Sequence, residues 1–358
     1  MDGPEGLFYT SNDNNSHYQI TRERDRKMGI SIHKWPAAGL VLSLALTLAA
    51  CGSGSVSAPS GSGSAPAPAA PVTQADAGKP YTVQHAMGET TIKETPKRVV
   101  VLVNDAVEAA LSLDVKPIGM VKAWGVEPMY EHLKSKLDGV QIVGDENQPN
   151  LEAIAALKPD LIIGNKLRQE KIYDQLSSIA PTVFSTRTNS DVLINYKVYA
   201  AALNKKEEGD KQLDAFDKRI QAFRAKLGDK INTKVSLVRF YVGDKVRVHY
   251  ADSFGGGLIK LIGLQRPAAQ DKTTFADIIG KERIPDLEAD MLFYFTLADE
   301  KGETTKTEEQ WLNDPLWKNL EVVKKGKVYR VNDGIWNSSG GLIAANLMLD
   351  DLEKYMLK

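Results

Sequence analysis

Two stretches decide how this chain is read: ERIPDLEADMLF, from Glu282 to Phe293, and EAIAALKPDLII, from Glu152 to Ile163. Overlaid, both spell E-x-I-x-x-L-x-x-D followed by an apolar run. In each, a glutamate starts a short helical segment, a loop follows, and an aspartate opens a stretch that is apolar at consecutive positions. Such a run marks a strand buried on both faces. One unit written twice in the same order predicts two similar α/β lobes.

The flanking sequence fits that reading. YTVQHAMGETTIK begins as an alternating hairpin, and RVVVLV, DAVEAALSLDV, KPIGMV, YEHLKSKL, VQIVG, LEAIAAL, DLIIG, EKIYDQLSSI and PTVFS then alternate strand and helix. This alternation implies a largely parallel sheet covered on both faces. From Asn204 to Leu227 it gives way to one long helix, with Leu213, Phe216, Ile220, Phe223 and Leu227 striped along one face. At 1.5 Å per residue, such a helix is a rod of roughly 35 Å, long enough to join two lobes. Beyond it KVSLVRFYV, RVHY, GGGLIKLIGL, KERIPDL, DMLFYF and KVYRV restart the α/β pattern. A last helix begins at Gly341, with Leu342, Ala345, Leu349, Leu352 and Met356 on one face.

The chain has 358 residues, 42% hydrophobic and 25% charged, with a formal net charge of −1. That is enough apolar content for a large core. The balanced charge speaks against a nucleic-acid-binding surface. LVLSLALTLAA, residues 40–50, has the length of a signal-peptide core and is shorter than the roughly 20 residues that span a bilayer. It ends at Leu48-Ala49-Ala50-Cys51, which resembles a bacterial lipobox, where the cysteine is lipidated and becomes the first mature residue. Met28 gives a normal positive start to such a signal, and residues before it fit none. Cys51 is the only cysteine, so the count excludes disulfides, zinc clusters and thiol catalysis. Residues 51–79 are a Gly/Ser/Pro/Ala tract that reads as a flexible tether. The expected organisation is therefore a signal segment over 1–50, a tether over 51–79, an N-terminal lobe over 80–203, a connecting helix over 204–228 and a C-terminal lobe over 229–358. The folded part would sit outside the membrane, held by lipid.

The lipobox, TPKRVVVLVNDAVEAALSLDVKPIG, PNLEAIAALKPDLIIGNKLRQEKIYDQLSSIAPTVF, KERIPDLEADMLFYF and WNSSGGLIAANLMLDDLEKY together resemble the iron-siderophore solute-binding lipoproteins of ABC importers. The resemblance runs over about residues 80–358. It is strongest to Gram-positive members that take hydroxamate or citrate-hydroxamate siderophores such as schizokinen. It implies two Rossmann-like lobes joined by a single backbone helix, the class III periplasmic-binding-protein architecture, with ligand held between the lobes and only modest lobe motion. It also implies a use for the repeated glutamates: Glu152 and Glu282, one on each lobe, would dock into arginine pockets on two permease subunits. Near a helix start the dipole also favours a carboxylate, so either residue alone has a purely structural explanation. The resemblance further implies a monomer with no intrinsic cofactor and no direct metal ligands, ferric iron arriving already chelated by the siderophore.

A bulky ferric siderophore, often anionic, calls for arginine donors and aromatic walls rather than iron ligands. Arg168 follows directly on a buried strand, at the carboxyl edge where α/β sheets bind ligands. Arg239 lies inside an apolar strand and must be paired internally or face a cleft. Arg247 and Tyr241 flank the next turn, either as hairpin surface or as part of the site. Arg187 lies just past a strand end, in a loop that varies among relatives. Trp336 precedes the final helix, which Asn337 or Ser338 could cap, and the family uses a tryptophan there. Trp124 follows the second strand in the same manner. Tyr294 and Phe295 should divide between core and cleft by strand alternation. Some trishydroxamate binders of the family carry Trp and Arg in the turn that here reads SFGGG, Ser253–Gly257, which favours the citrate-hydroxamate type. Haem, cobalamin or catecholate siderophores on the same fold, and a secreted lipoprotein hydrolase, are the alternatives. No G-x-S-x-G, Walker loop or H-E-x-x-H motif points to an enzyme.

Overall fold

The computed structural model describes residues 78–125, 127–186 and 192–358, all within the compact unit Ala70–Lys358. The signal segment, Met28, the Cys51 lipobox, nearly all of the tether and Arg187 lie outside the described residues. No helix among the described residues is long and apolar enough to cross a membrane.

The chain enters through an antiparallel hairpin, β1 (Tyr81–His85) and β2 (Gly88–Ile92). The first lobe then runs β3 (Val99–Val101), α1 (Asn104–Ser112), β4 (Gly119–Met120), α2 (Glu131–Lys134), β5 (Gln141–Ile142), α3 (Leu151–Ala156), β6 (Leu161–Asn165), α4 (Lys166–Gln169), α5 (Tyr173–Ile179) and β7 (Thr182–Ser185). Its five strands are all parallel, in the order β5-β4-β3-β6-β7. Two helices follow, α6 (Val192–Ala202) and α7 (Lys206–Leu227). The second lobe runs β8 (Val235–Phe240), β9 (Val246–His249), α8 (Phe254–Ile262), β10 (Ala276–Ile279), a 3-10 helix (Lys281–Leu287) and β11 (Met291–Thr296). It continues with α9 (Glu303–Leu312), α10 (Pro315–Asn319), α11 (Glu321–Lys324), β12 (Val328–Arg330), a π-helical turn (Gly334–Ser338) and α12 (Leu342–Met356), its strands in the order β10-β9-β8-β11-β12.

The repeat has a structural meaning. The Asp160 amide donates to the Arg98 carbonyl at 3.0 Å, while its carboxylate accepts the Lys97 and Arg98 amides at 2.8 and 2.9 Å. In the second copy the Asp290 amide donates to the Lys234 carbonyl at 2.9 Å and its carboxylate accepts the Lys234 amide at 2.8 Å. Each aspartate thus ties the strand it opens, β6 or β11, to the start of the central strand beside it, β3 or β8. The isoleucines of the two copies, Ile154 and Ile284, are both fully buried. The copies diverge on the other side of the central strand. β4 reaches its parallel place through helix α1, whereas β9 returns antiparallel to β8 after the short turn 241–245. Five residues cannot make a parallel crossover, so the second sheet is mixed rather than wholly parallel.

Phe216, Ile220, Phe223 and Leu227 of the α7 stripe are buried, each worth about 1.5–3 kcal/mol of apolar transfer. They pack α7 on α6 from one lobe and on α8 and α12 from the other. One apolar core accordingly contains Val99 and Val101 together with Val235 and Leu237, the central strands of both sheets. Gly256 on α8 must be glycine, because a side chain there would collide with the Tyr250 carbonyl.

The start of α12 departs from expectation. Neither Asn337 nor Ser338 caps it, since both belong to the π-helical turn. The cap comes from the other lobe. Glu108 on α1 is fully buried; one carboxylate oxygen accepts the Ala344 amide at 2.8 Å, and the other accepts the Ser339 hydroxyl and His132 Nε2, the latter at 3.0 Å. A carboxylate beneath a helix N-terminus is favoured by the unpaired amides there. Gly341, in the N-cap position, packs so closely on Glu108 that a Cβ would overlap the carboxyl group.

Candidate functional site: a two-walled interlobe cleft

In the first lobe, the loops at the carboxyl edge of the parallel strands converge. Asn165, the last residue of β6, accepts the Leu167 amide at 2.9 Å, so α4 begins directly at the strand end and sets Arg168 over the edge. The Arg168 guanidinium carbon lies 5.5 Å from the centre of the Trp124 ring, and its Nε 3.6 Å from Glu146 Oε2. Two residues expected in the site are therefore stacked on each other. Trp124 is 40% exposed, and its Nε1 donates to Glu146 at 3.2 Å. Glu146 itself is buried and also accepts the Asn104 amide and side chain at 2.9 and 2.8 Å. Behind it lies Asp105, buried, accepting Asn195 Nδ2 at 3.1 Å and the Tyr199 hydroxyl at 3.0 Å. Burial first, and the Glu146 charge second, push the Asp105 pKa up to about 7.

In the second lobe, Arg239 is buried and internally paired. Its Nη2 donates to Asp333 at 2.7 Å and to Ser338 at 2.8 Å, with Nε 2.5 Å from the second Asp333 oxygen. Burial alone would lower its pKa, but Asp333 and Tyr241 outweigh that and the net shift is upward. Tyr241 sits between two guanidinium groups, with Arg239 4.7 Å and Arg247 4.5 Å from its ring centre, and its hydroxyl accepts from both. Arg247 forms no ion pair among the described residues and is partly exposed. Below lies His249, buried, with both ring nitrogens unpaired among the described residues. Burial, then the Arg239, Arg247 and Arg266 charges, hold its pKa well below the ordinary value, so it stays neutral. This wall carries a surplus of positive charge.

Tyr130 joins the walls. Its hydroxyl accepts the Trp124 amide at 3.2 Å, and its ring lies so close to Gly334 that a Cβ there would stand 2.9 Å away. Its pKa is driven well above the ordinary value by burial, with the charges of Glu146 on one lobe and Asp333 on the other adding to the rise. Beside it, a Cβ on Gly125 would lie 3.6 Å from the Ala298 carbonyl of the opposite lobe. An open cavity of about 460 Å³ adjoins Asp333, lined by Thr296, Arg330, Asn332 and Tyr355 among others.

Two expected wall residues belong elsewhere. Trp336 is fully buried, stacked on Phe293 with 4.5 Å between ring centres, and its Nε1 donates to Asp351 at 2.8 Å. The π-helical turn rotates it into the core. Tyr294 pairs in register with Val238, and Phe295 with Arg239. Tyr294 therefore lies on the sheet face away from the arginines, against Phe240 and Trp317. Phe295 shares the arginine face but is buried. Sequence reading missed Glu146, Asp333, Ser338 and the 42% exposed Phe275, whose ring meets His249 at 5.3 Å. A dense polar loop, GDENQ, was the available sign for Glu146.

Glu152 and Glu282 are both exposed, each two residues before its buried isoleucine. Glu152 lies in the first turn of α3, and Glu282 in that of the 3-10 helix, folded back over Gly280. Neither makes a hydrogen bond or ion pair among the described residues.

Two α/β lobes, a bridging helix, and arginine-aromatic pairs on the loops of each lobe are the architecture of a solute-binding protein. The chain belongs to the periplasmic binding protein family, whose model matches residues 99–333. It is 48% identical over 296 residues to the probable siderophore-binding lipoprotein YfiY of Bacillus subtilis (strain 168), covering 80% of this chain and 90% of that one. It is 32% identical over 270 residues to the Fe(3+)-citrate-binding protein YfmC of the same organism, covering 75% and 83%. Among solved structures, Staphylococcus aureus SirA complexed with staphyloferrin B superposes with a TM-score of 0.70 at 37% identity, covering 77% of this chain and 98% of that one.

Proposed function

We propose that the protein is an extracytoplasmic receptor, lipid-anchored through Cys51, that captures a ferric siderophore between its lobes and delivers it to an ABC permease. The carrying observation is the arginine-tyrosine clamp of the second lobe. Asp333 neutralises Arg239, while Arg247 has no acidic partner among the described residues, and the tyrosine ring holds both guanidinium planes in place. A fixed, partly desolvated cation suits a rigid anionic chelate better than a neutral one. The names of the relatives agree, since one binds ferric citrate and the SirA structure holds staphyloferrin B. A citrate-hydroxamate siderophore is the ligand type this wall favours. Arg168 stacked on Trp124 supplies the opposite wall. The protein binds and releases its ligand unchanged and works as a monomer. Glu152 and Glu282 dock the two lobes on paired permease subunits, because two separated carboxylates, without partners among the described residues, set a register that one cannot. The test is titration of the purified chain, followed by tryptophan fluorescence, with ferric schizokinen, ferrioxamine, a ferric catecholate and haem side by side. Tight quenching by the citrate-hydroxamate complex is expected; a Soret band on a red holoprotein would move the assignment to haem.

A further inference from the structure

The two walls of the cleft are electrically unequal, and one buried carboxylate makes them so. Glu146 is 4% exposed, yet it touches the loops following four different strands. It accepts from Asn104 after β3 and from Trp124 after β4, stands on the loop after β5 itself, and faces Arg168 after β6. Its own carbonyl accepts Gln169 Nε2 at 2.5 Å. This buried carboxylate accepts the Asn104 amide, the Asn104 side chain and the Trp124 indole, and it lies 3.6 Å from Nε of the single arginine that the described first-lobe wall presents. Arg168 thus offers hydrogen-bond donors and a cation-π face with its charge largely cancelled. On the second wall Arg247 has no such counter-charge among the described residues.

Resting on the siderophore reading above, we propose that Glu146 is a specificity-determining residue. It makes the first-lobe wall near-neutral, so the anionic end of a ferric chelate is directed to Arg247 and Tyr241, and it limits how much negative charge the cleft accepts. A simple scaffold residue would hold the loops but would not discriminate ligands by charge. At an effective dielectric constant of about 40 and a separation of about 8 Å, one unit charge changes affinity roughly fivefold.

The experiment compares calorimetric affinities of the full chain for two ferric complexes of opposite charge at fixed ionic strength: ferric schizokinen, anionic through the ionised citrate hydroxycarboxylate that completes its chelation of the iron, and ferrioxamine B, with its pendant ammonium. Glu146→Gln should raise the anion-to-cation affinity ratio about twenty-five-fold, about fivefold upward for the anion and about fivefold downward for the cation. Glu146→Asp, which keeps the charge, should leave that ratio unchanged even where both affinities fall, and Arg168→Gln should lower it. A ratio that stays at the wild-type value in Glu146→Gln, or moves equally in Glu146→Asp, overturns the proposal. Should Glu146→Gln fail to fold by thermal melting, the Arg168→Gln arm decides, and an unmoved ratio there is equally fatal. Wild-type protein that binds neither complex would instead refute the siderophore reading itself.

Discussion

Replacing Glu108 tests the joint between the lobes. Its two carboxylate oxygens have separate duties: one accepts the Ser339 hydroxyl and His132 Nε2, the other the Ala344 amide. Ser339 and Ala344 are fully buried, so water cannot replace the lost acceptor. Glu108→Ala strands two buried donors at about 1–3 kcal/mol each and adds a cavity, for a loss of roughly 3–6 kcal/mol. That is a large part of the 5–15 kcal/mol of a typical domain. Glu108→Gln keeps the volume but offers one acceptor oxygen where two are used, so an N–H must face an N–H or a hydroxyl that needs an acceptor. The expected loss is about 1–3 kcal/mol. Urea unfolding followed by circular dichroism and by tryptophan fluorescence measures both, and the Ala344 amide should lose hydrogen-exchange protection in Glu108→Ala. A loss under about 1 kcal/mol for Glu108→Ala, with Ala344 still protected, would refute the view that this carboxylate caps α12 across the lobes.

Asp105 gives a pH-dependent signature. Its folded pKa of about 7 lies above that of an unfolded aspartate, so the native state keeps a proton the unfolded state has lost. Stability therefore falls as pH rises between about 4 and 7, by on the order of 1.4 kcal/mol per unit, then levels off. Asp105→Asn should gain on wild type from pH 5 to pH 8 in matched denaturant melts; a difference independent of pH would contradict this. Arg247→Ala should weaken ferric-chelate binding roughly ten- to hundredfold, with little change in melting temperature because the side chain forms no ion pair among the described residues; calorimetry and a thermal melt read both. Changing Glu152 and Glu282 together to alanine should leave ligand affinity intact and abolish iron uptake by cells, and loss of binding in the purified double variant would count against their docking role.

The fold was legible wherever local pattern carries it. The α7 stripe, the consecutive valines of β3 and the repeated E-x-I-x-x-L-x-x-D are short-range signals, and each corresponds to an element of the structure. Less visible were α6, which is apolar nearly all round and so carries no one-sided stripe, and β10 and α9 to α11, whose apolar residues are sparse or whose segments are short. In the candidate site, strand-edge reasoning points to Arg168 and Trp124, the cost of a buried charge points to Arg239, and Tyr241 and Arg247 are marked only as flanking the next turn. The partners that define their charge do not. Asp333 lies 94 residues from Arg239, and Ser339 lies 231 residues from Glu108. Nothing in a local window foretells such pairings. Trp336 misled for a related reason: a loop tryptophan before a helix looks exposed, and only the π-helical turn, formed against Phe293, turns it inward.

The central claim is that a ferric chelate sits between the two walls. Crystals grown with ferric schizokinen and measured at the iron absorption edge locate the metal directly by its anomalous signal. The account predicts a single iron peak in the cleft, between the Trp124–Arg168 stack and the Tyr241–Arg247 pair, with no protein atom in its coordination sphere. An iron peak elsewhere on the chain, or one bonded directly to protein side chains, would contradict it.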